Sequence, residues 1–198
     1  MSIAPRIRVE EVKVLSDDWF ILKKTTFAFL RSDGTWQRQS RETYDRGNGA
    51  TILLYDPRRR TVVLTRQLRY PAFVNGHDDL LIEAPAGLLD AAEPEVRIRA
   101  EVEEETGFQV REVRQVFDAF MSPGSVTERL HFFVGEYAPG DRKSAGGGNA
   151  AEGEDIAVLE VDLDEALAMI DAGTIRDGKT IMLLQYAALK LIPHLAVS

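Results

Sequence analysis

One stretch of this chain, Pro94 to Gly107, carries the start and stop signals of a helix, while the residues on both sides of it read as strands. Proline fits the first helical position, where its missing N–H costs nothing, and glycine fits the left-handed position just past the end. Upstream, residues 6–46 read as short strands with turn chemistry at Ser32-Asp33-Gly34 and Asp45-Arg46-Gly47-Asn48-Gly49, an N-terminal sheet layer. Thr51–Tyr55 and Thr61–Arg66 are β-branched and leucine-rich runs around Asp56-Pro57-Arg58-Arg59-Arg60, a hairpin feeding a central sheet. Further strands are expected at Val113–Met121, Leu130–Tyr137 and Ile156–Val161, and two more helices at Leu163–Asp171 and Lys179–Ile192. Strands, a helix, strands and then helices predict an α+β fold rather than regular α/β alternation.

The chain has 198 residues, enough for one well-buried core with room for a small extra subdomain, so one compact unit is expected. Its net charge of -8 and pI near 5.0 argue against a polyanionic partner such as nucleic acid or an anionic membrane surface. A small anionic substrate would need local arginines and lysines, or a cation between it and the protein's carboxylates. The absence of cysteine excludes disulfides, thiolate zinc sites and a cysteine nucleophile. Met1–Val14 lacks the apolar stretch of a signal peptide, and Ile181–Ile192, the most apolar tract, is interrupted by Gln185 and Lys190 and too short to span a bilayer. A soluble, cytoplasmic protein is the expectation.

The helix itself is acidic: Glu101, Glu103, Glu104 and Glu105 lie in its last two turns. At about 100° per residue, Glu101 and Glu105 fall within roughly 40° of each other, and Glu104 about 60° from Glu101, while Glu103 points away. The ordinary reading of such a face is solvated surface. Two energies oppose it: like charges at i,i+4 cost about 0.2–0.5 kcal/mol, and acids in a helix's last turn oppose the macrodipole by roughly 0.3–1 kcal/mol. A hard divalent cation reverses the sign of both, because grouped oxygen ligands are what magnesium binds. Arg97, one turn before Glu101, is placed to orient those carboxylates.

The segment from Gly87 through Glu93, Glu101, Val102, Glu104, Glu105 and Gly107 to Phe108 resembles the Nudix box, G-x5-E-x7-R-E-U-x-E-E-x-G-U. It departs in having one residue fewer between Glu93 and Glu101, and Ala100 where the family has arginine; Arg97 or Arg99 is the substitute. The resemblance continues through Arg41-Glu42, Tyr44–Thr51, Arg66–Arg69, Ser122-Pro123-Gly124, Val126-Thr127-Glu128, the glycines 146–148 and Ile175–Thr180, and is to the GDP-mannose pyrophosphatase branch, close to the ADP-ribose pyrophosphatases. It implies a Nudix α/β/α sandwich with an additional N-terminal antiparallel β-sheet layer. Residues 1–46 would be that dimerisation sheet and 47–198 the hydrolase domain of a homodimer. It also implies hydrolysis of the pyrophosphate bond of a nucleotide sugar, GDP-mannose first and ADP-ribose as the alternative.

Position by position, the resemblance puts a magnesium ion on the Ala86 carbonyl, Glu101, Glu105 and Glu154, with Glu104 joining through a second ion or a bound water. Glu152 is an alternative to Glu154, and the glycines around this loop suit a mobile carboxylate. Glu154 or Glu128 is the candidate general base, and Glu105 belongs with them in the catalytic set. Substrate contacts fall on Trp19, Arg41, Glu42, Arg69, Ala86, Gly87, Leu88, Glu128 and Lys179, with Trp19 stacking on a base and the guanidinium groups suiting a diphosphate. Glu83 is a candidate brace for the adjoining loop.

Three other features carry less. Gly173–Thr180 satisfies the P-loop pattern G-x4-G-K-[ST], but a helix-like segment precedes it where a P-loop needs a strand. A catalytically silent nucleotide sensor would tolerate loss of the box carboxylates, yet Glu101, Glu104 and Glu105 are all present. His77, His131 and His194 show no metal-ligand spacing and read as structural.

Overall fold

A computed structural model describes residues 2–192. His194 lies outside them. The strands form two separate sheets, and where chain length alone predicts one unit the chain divides into two. The first runs to Asn48 and takes in Phe120–Arg129; the second comprises Gly49–Ala119 and the chain from Leu130 onward.

The first unit is an antiparallel sheet of β1 (Ile7–Asp17), β2 (Ile21–Leu30) and β3 (Trp36–Asp45), in that spatial order. These strands, of 11, 10 and 10 residues, are longer than the short ones expected from composition. Lysine, arginine and glutamate interleaved with the apolar residues hide their length, because only one face is apolar. Register shifts in β1 between Val9 and Glu11 and between Val14 and Ser16 matter here. Side chains alternate between faces, so an unbulged strand carrying apolar residues at 7, 9, 12 and 14 would split them. With the first bulge, Ile7, Val9, Val12 and Val14 pair with Phe29, Phe27, Thr25 and Lys23, all on one face. The Ser122–Thr127 segment closes on β3, with the Tyr44 N–H donating to the Ser125 carbonyl (2.8 Å) and the Thr127 N–H to the Tyr44 carbonyl (3.1 Å).

The second unit is built on β4 (Gly49–Asp56), buried along nearly its whole length. A mixed sheet surrounds it: β10 (Ala157–Asp162), β5 (Thr61–Gln67), β4, β9 (Arg129–Glu136) and β8 (Arg114–Phe120). The short β6 (Leu81–Glu83) pairs with β5, and β7 (Ala86–Leu88) with β4. One face receives α2 (Pro94–Thr106), whose Ile98 and Val102 join Ala50, Ile52, Leu54, Val63 and Phe133 in a buried cluster. On the opposite face Phe132, in register with Thr51, lies 4.6 Å from the Phe117 ring, and Phe117 meets Tyr186 of α4 (Gly178–Tyr186) at 6.0 Å. Helices therefore cover both faces of a mixed sheet, the α/β/α arrangement of the α+β class. The remaining helices are α1 (Tyr70–Val74) and α3 (Leu163–Asp171), the latter capped by Asp162, which accepts from the Asp164 and Glu165 N–H groups.

The β4–β5 hairpin forms where its turn chemistry predicts, with Asp56 accepting from the Arg58 and Arg59 N–H groups. α1, β6 and β7 have five, three and three residues, too few to show a period. Helix α3 delivers the chain to Gly173, so the P-loop-like stretch has no strand before it. His131 is buried and meets Gln115 Nε2 through Nδ1 at 3.2 Å, while His77 Nε2 is buried with no hydrogen-bond partner. Among the described residues no helix is long and apolar enough to cross a membrane.

Ile98 is fully buried at the centre of the α2 contact. Ile98→Ala should cost about 2–5 kcal/mol of unfolding free energy in a urea titration, and a loss under about 1 kcal/mol would mean that α2 is not held by this cluster.

Candidate active site

The candidate site is assembled on the second unit around α2. Glu93 precedes the helix in extended conformation, Pro94 opens it, and Gly107 ends it in the left-handed region with its N–H on the Glu103 carbonyl. Helical spacing then sorts the acids. Glu101 and Glu105 turn inward and are buried, whereas Glu104 is exposed; Glu103, also exposed, accepts a hydrogen bond from Gln109 (2.7 Å). Glu101 lies against β7, and a Cβ at Gly87 would overlap its Oε1 oxygen, so only glycine admits the carboxylate there. Arg97 settles which arginine serves this face: it pairs with Glu101 Oε1 at 2.5 Å and donates through Nε to the Leu88 carbonyl at 3.0 Å. Arg99 turns instead to Glu95 and to the carbonyls of Val110 and Arg111.

Burial raises the Glu101 pKa, with Arg97 opposing and Glu104, Glu154 and Glu152 adding to the rise. For Glu105 burial acts first, then Glu101 and Glu83, and against the pull of Arg69 they push its pKa up to about 8. Glu105 Oε2 is buried without any hydrogen-bond partner among the described residues. A native fold rarely leaves a carboxylate oxygen in that state, and a ligand that the protein has yet to bind is one reason for it.

Glu154 lies on the loop that follows the three glycines. The loop is docked rather than loose: the Gly147 N–H donates to the Glu105 carbonyl (2.9 Å) and the Gly148 N–H to the Glu104 carbonyl (3.2 Å). These are carbonyls that the end of a helix leaves unsatisfied. Gly146, Gly147 and Gly148 all have positive φ, and a Cβ at Gly146 would strike the Glu105 and Thr106 backbone. The glycine run is therefore first a helix cap, where sequence alone suggests mobility. Glu154 Oε2 accepts from the Asn149 N–H at 2.8 Å, and a Cβ at Gly148 would overlap that oxygen. Glu152 is taken by the Asn149 side chain at 2.8 Å.

A second cluster gathers about Glu83 on β6, itself buried. Its Oε1 accepts from Arg69 Nε (2.6 Å) and its Oε2 from Lys179 Nζ (2.5 Å). Lys179 also pairs with Asp177 at 3.1 Å. Burial lowers the Lys179 pKa, but Glu83 and Asp177 more than offset this and leave it raised; Arg69 is likewise raised, burial being outweighed by Glu83, Glu105 and Asp177. Asp177 also caps α4, and the Thr180 hydroxyl bonded to it accepts from the Ala84 N–H (2.7 Å). Sequence reasoning passed over Asp177, although an aspartate directly before Gly178 and Lys179 is a legible helix-start signal.

Within the first unit, Trp19 is 84% exposed in the β1–β2 turn, edge-on to Phe20. It is not a core residue. Arg41 and Glu42 are consecutive in β3 and point to opposite faces; Arg41 pairs in register with Thr25, on the face of Val12. Glu128 meets Arg46 at 3.7 Å.

A divalent cation is what the resemblance implies for the α2 cluster, and the donors suit one. Two buried carboxylates lie one turn apart, burial raises the pKa of both, Glu101 adds to the rise at Glu105, and Glu105 Oε2 has no hydrogen-bond partner among the described residues. Among the described residues no three acidic or histidine side chains already converge into a cage, Glu154 being held by Asn149.

The GDP-mannose pyrophosphatase NudK N-terminal domain matches residues 6–44, and the NUDIX domain matches residues 45–184. The chain belongs to the Nudix family, whose pyrophosphatases generally use divalent metal ions. It is 56% identical over 185 residues to a GDP-mannose pyrophosphatase of Pectobacterium atrosepticum, covering 93% of this chain and 95% of that one. Proteins of the same name from Klebsiella pneumoniae and Escherichia coli K12 are 53% identical over 181 residues and 55% over 175, covering 91% and 88% of this chain and 90% and 91% of theirs.

The raised Glu105 pKa has a measurable consequence. A carboxyl that keeps its proton to about pH 8 when folded, against 4.5 as its ordinary value, stabilises the metal-free protein fully below 4.5 and loses that contribution as pH rises to 8. Within the window the slope is about 1.4 kcal/mol per pH unit for one proton. In chelator, Glu105→Gln should lack this slope and overtake the parent protein as pH approaches 8 in urea melts. Parallel pH profiles for the two proteins would contradict the placement of Glu105.

Proposed function

We propose that this chain hydrolyses the diphosphate bond of GDP-mannose to GMP and mannose 1-phosphate, with Mg²⁺ as the divalent ion. The observation that carries the reaction is the buried, unpartnered Glu105 Oε2 beside Glu101. The names of the relatives support the sugar nucleotide, in preference to ADP-ribose. The Ala86 carbonyl, Glu101, Glu105 and Glu154 would hold the ion, with the exposed Glu104 joining through water. When bound, the ion offsets charge on the phosphoryl oxygens and makes nearby water more acidic.

The chain's own groups do the rest. Among the described residues Arg69 bonds through Nε to Glu83, leaving its terminal amino groups for a phosphoryl group; Lys179 adds a point charge. Glu154 accepts the proton of the attacking water, a role that its electrostatic influence on Glu101 and Glu105 favours over Glu128. Trp19 has an exposed indole suited to stacking on guanine. The apolar face of β1 is the homodimer surface, Val9, Val12 and Val14 being 61%, 56% and 52% exposed. The enzyme works in the cytoplasm.

With Mg²⁺ and a panel of nucleotide sugars, the purified protein should turn over GDP-mannose in preference to ADP-ribose. Glu105→Gln should lower kcat by about three powers of ten or more with circular dichroism unchanged. Binding without turnover by the parent protein would make it a sensor instead. Separately, Val9→Lys with Val12→Lys should convert a dimer to a monomer in light scattering; a double variant that keeps the parent's mass would remove β1 from the interface.

A further inference from the structure

The Glu83 cluster has more order than two surface cations need. Glu83 is buried with 2% of its side chain exposed, and Lys179 shows only 13% of its own. Burying such a group costs desolvation that ion pairing seldom recovers, and a packed apolar residue would serve stability as well. Its geometry is also divided: one carboxylate oxygen takes Arg69 and the other Lys179, so a single rigid group sets where both cationic heads lie. Two carboxylates, Glu83 and Asp177, balance the two cations, so the cluster relies on placed N–H donors rather than on net charge. Among the described residues, Lys179 engages two of its three N–H groups and Arg69 one of its five.

We propose that Glu83 and Asp177 are positioning residues that hold Lys179 and Arg69 as a preset pair of donors for the two phosphoryl groups of a nucleoside diphosphate. This rests on the function proposed above. Asp177 fixes the pair to the fold through three bonds of its own: to Lys179, to the Thr180 N–H (3.0 Å) and to the Thr180 hydroxyl (2.5 Å). That hydroxyl accepts from Ala84, two residues before Ala86, so the lysine is referenced to the strand connection that carries a candidate metal ligand. Held in this way, a flexible lysine has given up its rotamer entropy before substrate arrives.

Asp177→Asn separates positioning from folding. Asparagine caps a helix as well as aspartate does, so the Thr180 contacts survive while the negative charge facing Lys179 is lost. The variant should melt within a few degrees of the parent, raise KM for GDP-mannose about ten-fold with kcat little changed, and weaken inorganic pyrophosphate in metal-free calorimetry by a similar factor. In a Lys179→Met background the same substitution should leave kcat/KM unaltered, because it acts through the lysine. Asp177→Ala, which removes the cap as well, should lower the melting temperature further. An unchanged KM and pyrophosphate affinity in Asp177→Asn overturns the proposal, as does an equal effect with and without Lys179. If the parent protein binds pyrophosphate more tightly than Asp177→Asn yet leaves GDP-mannose intact, positioning stands and the substrate reading alone falls. A parent that turns over GDP-mannose but binds no pyrophosphate overturns the positioning proposal alone.

Discussion

Burying two carboxylates at the carboxyl end of one helix is costly, and several neighbouring groups offset that cost. Glu101 and Glu105 repel each other, oppose the helix dipole and are withdrawn from water. Each cost meets a specific answer. Arg97 stands over Glu101 from the preceding turn and is itself located by the Leu88 carbonyl. Gly87 removes the one side-chain atom that would deny Glu101 its place. Arg69, anchored on Glu83, is near enough to lower the Glu105 pKa. None of these provides a partner for Glu105 Oε2, and that residue of unmet demand is what a cation satisfies.

The two polar clusters of the second unit are linked by charge. Glu83 raises the Glu105 pKa, and Arg69 lowers it. A single buried acid thus sets the position of the cations and contributes to the negative potential at the acid pair. The chain of contacts from Asp177 through Thr180 to Ala84, and along the backbone to Ala86 and Gly87, ties α4 to the strand pair beneath α2. Rigid elements rather than loops therefore carry most of the candidate groups, which is the condition for holding donors and carboxylates to fractions of an ångström.

What could be read from the sequence follows from what each signal depends on. The Pro94–Gly107 helix is punctuated by residues whose backbone preferences are intrinsic, and its limits emerge from the sequence almost unaltered. Strands β8, β9 and β10 lie within one residue of expectation at each end because their apolar runs are locally dense. The acid face was legible from helical geometry, but the burial of Glu105 and the exposure of Glu104 depend on what packs against α2 and could not be. The same limit hid the choice between Arg97 and Arg99, which sit two residues apart and point to different neighbours. The exposure of Trp19 follows from a turn, not a strand face, presenting it, which its residue type alone does not fix.

The glycines at 146–148 show how a composition signal can be right about location and wrong about cause. A low-complexity run beside an acid suggests slack, and slack suggests a moving carboxylate. In the structure these residues instead meet the helix-end carbonyls of Glu104 and Glu105, at an approach that a Cβ at Gly146 forbids. Capping those carbonyls satisfies part of the negative end of α2 at the place where the acids are worst placed. The loop that carries Glu154 is thus mechanically continuous with the helix that carries Glu105, and the Asn149 N–H holds the Glu154 carboxylate in a defined position. Bringing a third carboxylate to the acid pair then requires the exchange of one backbone hydrogen bond rather than the ordering of a free loop, a far smaller entropic demand.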